Sequence, residues 1–290
     1  MDIHTLQHKK RYGKFDTGPY GLEKYADSQA LIYHENSKLD RFLARRYGIG
    51  LARFDTDYFR QRSQRPYKVY PGAKRVSLTE YQLLGPPSQA DYFTLLGNRR
   101  SERIYTPYDL SLRELFVLCH YTYGISRYEQ LGEEEKVGFR YAPSGGGLYP
   151  LELYVALLAG DVELGLYHYR PDVEALERLK SGDFRSEVAR IVPGAPFVDM
   201  DNCSAVFLVT SVAERAMLKY GDRGYRWILM ETGAIAQNTG LSALALGLGS
   251  CLVGGFLDDE VNRFLGINGV SETVQKCIVI GKPADDDQDN

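Results

Sequence analysis

The stretch from Ser211 to Phe256 constrains this chain more than any other. A polar turn, Lys219-Tyr220-Gly221-Asp222-Arg223-Gly224-Tyr225-Arg226, opens onto a long apolar run from Trp227 to Leu248. The run breaks into a short strand-like piece that ends at Gly254-Gly255. Trp227, Ile228, Leu229, Met230, Ile235, Leu241, Leu244 and Leu246 fall on nearly every side of a helix. A helix apolar all round is buried, in a large core or in a subunit interface. Glu231, Gln237 and Asn238 interrupt it too often for a membrane span. The small residues Gly233, Ala234, Ala236, Gly240, Ala243, Ala245 and Gly247 let another backbone come close.

The other segments arrange themselves around this helix. Residues 1–88 form a basic, partly helical extension: the first 75 hold 16 Lys and Arg against 8 Asp and Glu, in a chain of net charge −3. Such an asymmetry suits an acidic partner or an intramolecular contact, or is simply a solvated surface. The spacing predicts a helix over about Gln29–Tyr47, and Pro66, Pro71, Pro86 and Pro87 mark a loop-rich linker. Residues 89–284 read as the main domain. Ser111 and Glu114 form a capping box for a helix over 111–123. Glu129–Lys136 reads as a charged surface excursion, and strands are expected at Leu151–Leu158, Gly165–Arg170, Ala205–Val212 and Lys276–Lys282. Asp258 is expected to cap a short helix to Leu265. The acidic 285–290 tail is expected to be disordered. This order points to an α+β fold with a mostly antiparallel sheet and a buried central helix. Cys119, Cys203, Cys251 and Cys277 lack metal or disulfide spacing, and the N-terminus is too polar for a signal peptide. A reduced, cytoplasmic protein without a metal site, nucleic-acid partner or membrane partner is the expectation.

Several functional classes fall away on spacing. Gly247-Leu248-Gly249-Ser250 lacks the third glycine of a dinucleotide fingerprint and follows a helix where a strand is required. Ala142 stands two before Ser144, where a nucleophile elbow needs glycine. His34-Glu35 has Lys38 where a zinc protease helix needs its second histidine. Four features remain. Arg99-Arg100-Ser101, with Arg103 close by, can clamp a phosphate, although such a triplet is often plain surface. Ser144-Gly145-Gly146-Gly147 and Gly254-Gly255 offer bare backbone to a ligand, or are plain turns. Lys219-Tyr220 can be a base with a proton-relaying neighbour, or an exposed lysine beside a half-buried tyrosine.

Taken in order, these pieces carry more than any one alone. The series Arg-Arg-Ser-x-Arg, Ala-Pro-Ser-Gly-Gly-Gly-Leu-Tyr-Pro-Leu-Glu-Leu-Tyr, Gly-Leu-Tyr-His-Tyr, Leu-Lys-Tyr-Gly-Asp-Arg-Gly-Tyr-Arg, the glycine-edged helix and a final Ile-Gly-Lys-Pro resembles the SagB-type thiazoline/oxazoline dehydrogenases of the FMN-dependent nitroreductase superfamily, over residues 90–284. The stretch Tyr33–Arg41 also looks like one found ahead of that domain in family members.

The resemblance implies an α+β sandwich forming an intertwined homodimer with FMN at the interface, held from both subunits. It implies that Arg99, Arg100, Ser101 and Arg103 hold the phosphate and ribityl side, that Lys282 reaches the phosphate, that Ser144, Gly145 and Gly146 pass along the cofactor, and that Gly254 and Gly255 face its ring. Lys219 and Tyr220 match the catalytic pair of the azoline-oxidising branch. The implied activity is oxidation of thiazoline or oxazoline rings to thiazoles or oxazoles, on a peptide or a carrier-protein-tethered substrate, in natural-product biosynthesis with other biosynthetic enzymes as possible partners. Lys219 is the implied base and flavin N5 the hydride acceptor. Two alternatives stay open: an NAD(P)H-dependent nitroreductase or flavin reductase, and oxidation of a non-azoline peptide or amino-acyl unit.

Overall fold

The computed structural model describes residues 28–284, except 40, 53, 55, 57, 60–62, 64, 85–90 and 132–134. The first 27 residues and the acidic tail lie outside the described residues, as do the side chains of Arg45 and Arg46. An eight-stranded sheet carries the molecule, in the order β1-β7-β6-β5-β8-β10-β2, with β9 also pairing β10. These strands are β1 (Lys74–Ser77), β2 (Tyr105–Thr106), β5 (Leu151–Leu157), β6 (Gly165–Arg170), β7 (Ala175–Ser181), β8 (Ala205–Val212), β9 (Gly249–Val253) and β10 (Glu272–Pro283). Each ladder between these strands is antiparallel.

β5 and β8 are apolar at nearly every position because both faces of the sheet are covered. Leu151, Leu153, Val155, Phe207, Val209, Ile278 and Ile280 face one core. There they meet α4 (Leu112–Tyr123) and α7 (Arg223–Ala245). The alternate residues Tyr154, Ala156, Val206, Leu208, Cys277 and Val279 face a second core. It is closed by α5 (Arg185–Ile191) and α8 (Asp258–Leu265). The period-two alternation of side chains thus builds helix, sheet and helix layers. Among the described residues, no helix is long and apolar enough to cross a membrane.

The structure departs from the sequence expectations in four places. The single helix expected over 29–47 is two, α1 (Gln29–Asn36) and α2 (Arg41–Ala52). Ser37 ends the first: its hydroxyl donates to the Tyr33 carbonyl at 2.6 Å, and its own carbonyl accepts from Arg223 at 2.8 Å. The excursion over 129–136 is part of a hairpin, β3 (Ile125–Leu131) with β4 (Glu135–Arg140). Part of the expected linker is strand β1, which extends the main sheet at β7. Asp258 does not cap α8: Leu257 stands at the N-cap and no side chain bonds there.

The central helix α7 buries one face within this chain, including Ile228, Glu231, Ile235, Thr239 and Ala243. Leu229 and Met230, at 50% and 63% exposure, point away from that core.

Candidate active site

Lys219 and Tyr220 close α6 (Ala213–Tyr220), and the chain reverses through Gly221 into α7. The Lys219 ammonium stands 5.5 Å from the Tyr220 ring centre. It has no carboxylate partner among the described residues. The Tyr220 hydroxyl lies against Gly146, where the backbone takes φ +69° and a Cβ would overlap the phenol oxygen outright. A side chain there is excluded both by space and by the left-handed backbone. Beside it, a Cβ on Gly145 would sit 3.1 Å from the Trp227 indole. The Tyr220 ring meets Trp227 edge-on at 6.3 Å and stacks with Tyr47 at 6.5 Å. Burial raises the pKa of the Tyr220 phenol, so it keeps its proton and can donate it. The structure therefore brings Lys219, Tyr220, Ser144, Gly145 and Gly146 to one place, at the N-terminal end of α7.

Beneath the glycine loop lies a carboxylate that the sequence motifs did not single out. Glu231 sits one turn after Trp227 on α7 and is 2% exposed. The Tyr123 hydroxyl donates to it at 2.6 Å. Burial pushes its pKa up to about 7, and hydrogen bonds from Ser144 and Tyr123, with Arg140 and Arg215 nearby, keep it from rising further. Arg140 stacks over the Tyr123 ring at 4.0 Å. Arg215, from α6, pairs with the buried Glu152 of β5 at 2.6 Å. Burial works against Glu152 ionising, but Arg215 and then His168 outweigh it and hold its pKa at about 2. The available signal was an acid inside an apolar helix; its partners sit far away in sequence and left no local pattern.

The arginine set gathers at the other end of α7. After α3 (Tyr92–Asn98), capped by Asp91, the chain runs extended through Arg99–Ile104. The Glu102 amide donates to the Ser250 carbonyl at 3.0 Å, which pins this stretch to the start of β9. The Lys282 ammonium donates to the Gly247 carbonyl at 3.1 Å. Arg99 reaches toward Gly240. Arg103 donates to the Ser101 carbonyl at 3.3 Å, and Arg100 pairs with Glu102 at 2.5 Å. Arg99, Arg103 and Lys282 have no carboxylate partner among the described residues, so this end of the helix presents net positive charge, as a phosphate site requires. From Trp227 to Gly240 the helix rises by about 20 Å at its usual pitch. One chain therefore holds the glycine loop and the arginine set well apart. Gly254 and Gly255 stand at the far end of β9, both exposed, and Gly255 has no atom near its Cβ position.

The protein is thus an antiparallel sheet between helical layers, with bare backbone at one end of its long central helix and a basic set at the other. The sequence model of the nitroreductase family matches residues 96–282, and the chain belongs to that family. It is 36% identical over 175 residues to the putative nitroreductase MJ1384 of Methanocaldococcus jannaschii, covering 60% of this chain and 83% of that one. It is 32% identical over 142 residues to the microcin B17-processing protein McbC of Escherichia coli, covering 47% of this chain and 51% of that one. The chain thus spans about half of McbC's length. Among solved structures, a chain of the E. coli microcin synthetase McbBCD complex with truncated pro-MccB17 bound matches with a TM-score of 0.52 and 23% identity, over 86% of this chain and 99% of that one. That last likeness shows the fold alone.

Proposed function

We propose that this chain is an FMN-dependent dehydrogenase that oxidises thiazoline or oxazoline rings on a peptide or carrier-bound substrate. The observation that carries the reading is the placement of the Tyr220 hydroxyl against the bare backbone of Gly146, with Lys219 Nζ 5.5 Å from the Tyr220 ring centre. The Lys219 side chain and a protonated phenol stand together beside the glycine loop. The relationship to a microcin-processing protein supports a peptide-borne substrate.

The residues present fit FMN. The Gly145–Gly146 cradle has no room for side chains, the buried Trp227 indole N–H has no partner among the described residues, and Lys282 stands at Gly247 with Arg99 near Gly240, neither with a carboxylate partner among the described residues. Arg99, Arg100, Ser101, Arg103 and Lys282 would hold the phosphate and ribityl side, Ser144, Gly145 and Gly146 would pass along the cofactor, and Gly254 and Gly255 would face its ring. The separation of about 20 Å along α7 supports a homodimer in which one copy's arginine set meets the other copy's glycine loop. The outward Leu229 and Met230 give such an interface apolar surface to bury.

Aromatising an azoline removes a proton from Cα and a hydride from Cβ, leaving a double bond between them. In its neutral amine form Lys219 Nζ takes the proton and becomes the ammonium, and the Tyr220 hydroxyl orients the ring and relays the proton outward. Positioned bases of this kind contribute roughly 10²–10⁴-fold. FMN, when bound, would supply the hydride-accepting chemistry. The test is flavin absorbance under anaerobic conditions. A thiazoline-bearing peptide bleaches the wild type but not Lys219→Ala. Bleaching by NADPH and not by the peptide would assign a reductase instead.

A further inference from the structure

The helices ahead of the family-matched region are not remote from the chemistry. A cavity of 390 Å³ opens beside Lys219 and Tyr220, and its opposite wall carries Leu39, Tyr47, Leu51 and Phe54 beside the polar Asn36, Ser37 and Lys38. Small-molecule sites occupy roughly 300–1,000 Å³. None of these wall residues lies within the matched residues 96–282. The wall is fastened to the catalytic turn: the Tyr33 hydroxyl donates to the Asp222 carbonyl at 3.0 Å. Arg223 donates to the Ser37 carbonyl at 2.8 Å, and Arg226 to the Ser37 hydroxyl at 2.9 Å and the His34 carbonyl at 2.6 Å. These bonds span nearly 190 positions of sequence. Guanidinium groups bonded to backbone carbonyls and to a buried serine hydroxyl hold geometry, not merely charge.

We infer that α1 and α2 form the substrate-selecting wall of the active site, and that Tyr47, Leu51 and Phe54 choose the residue flanking the oxidised ring. The inference rests on the catalytic reading of Lys219 and Tyr220. The wall chemistry fixes the class of flank. Beside the polar Asn36, Ser37 and Lys38, two aliphatic side chains and two aromatic rings form an apolar patch that gains by covering an apolar side chain. The buried Tyr47 hydroxyl has no hydrogen-bond partner among the described residues, so it is a spare donor for a peptide carbonyl beside the ring. Stacked against Tyr220, it sits one ring away from the proton-transfer pair.

Two synthetic peptides test this on the full chain loaded with FMN: one carries a thiazoline flanked by leucine, the other a thiazoline flanked by glycine. Wild type favours the leucine flank in kcat/KM. Leu51→Ala with Phe54→Ala shrinks that preference about tenfold, through KM, as loss of apolar pocket contacts does. Leu51→Met restores it in the Phe54 wild-type background. Trp227, the chain's single tryptophan, stands 6.3 Å from Tyr220 and reports binding by fluorescence without turnover. Its titration with the leucine-flanked peptide weakens in the double variant and in Tyr47→Phe. An unchanged preference in an active double variant, with Lys219→Ala inactive, overturns the inference and leaves the proposed reaction standing. A wild type that neither binds nor oxidises either peptide removes both.

Discussion

Glu231→Gln should change how stability depends on pH, and by an amount that the structure sets. The carboxyl is 2% exposed and its pKa is pushed from an ordinary 4.5 to about 7 by burial. Below pH 4.5 the group is protonated in both folded and unfolded chains and costs nothing. Between 4.5 and 7 the unfolded chain gives up its proton while the folded chain keeps it, so stability falls as pH rises. Above about 7 both have ionised and the loss levels off. At about 1.4 kcal/mol per pH unit of separation, the full loss is about 3 kcal/mol. Glutamine keeps the shape and an oxygen to accept from Tyr123, and it does not titrate. Glu152 moves oppositely: held at about 2, its contribution is complete above 4.5 and disappears only as pH falls toward 2, outside this window. Urea unfolding of both proteins at pH 5, 6, 7 and 8, with saturating FMN, gives the comparison. The wild type should lose about 2–3 kcal/mol relative to Glu231→Gln across that range, the rest of the loss lying below pH 5. Parallel curves would show that the carboxyl is solvated or paired in a way this geometry does not contain.

Three further substitutions probe the site and its supports. Gly146→Ala should displace the Tyr220 hydroxyl and lower turnover at least ~10-fold, since a positioned proton-transfer group typically contributes that much or more. Gly255→Ala, which meets no atom of the described residues, should leave the melting temperature unchanged and reduce retained FMN, read by absorbance after gel filtration. Arg215→Met should strand the buried Glu152 carboxylate and cost about 3–5 kcal/mol in urea unfolding. Adding Glu152→Gln to Arg215→Met should recover part of that loss.

What could be read from the sequence was what is encoded locally. The capping box at Ser111 and Glu114 forms with both of its bonds, at 3.2 and 2.8 Å. The β-branched run at Ala205–Val212 is a buried strand, and the apolar run after Trp227 is a helix of 23 residues. The motif order also led to the neighbourhood of Lys219, Tyr220 and Gly146, because one turn and one loop carry them. Charges inside strands were opaque. Glu152, His168 and Glu177 lie in stretches that look amphipathic, yet each is buried and bonded within one polar network. Lys68 meets Glu272 at 2.6 Å across 204 positions of sequence, and no local period announces such a pair. The wall over Lys219 was hidden for the same reason. Its residues look like an ordinary basic helix until Ser37 is seen to be the anchor of Arg223 and Arg226.

The position of β10 bears on how this protein is made. β10 lies inside the sheet, hydrogen-bonded to β8, β9 and β2. It leaves the ribosome some sixty residues after β8, which at typical synthesis rates is a delay of about 3–12 s. During that interval β8 offers an unpaired apolar edge, the kind of surface on which nascent chains associate wrongly. The core cannot close progressively from the N-terminus. Closure waits for residues 272–283, so a ribosome stalled before them holds a sticky, half-built sheet, and chaperone demand should peak late in translation.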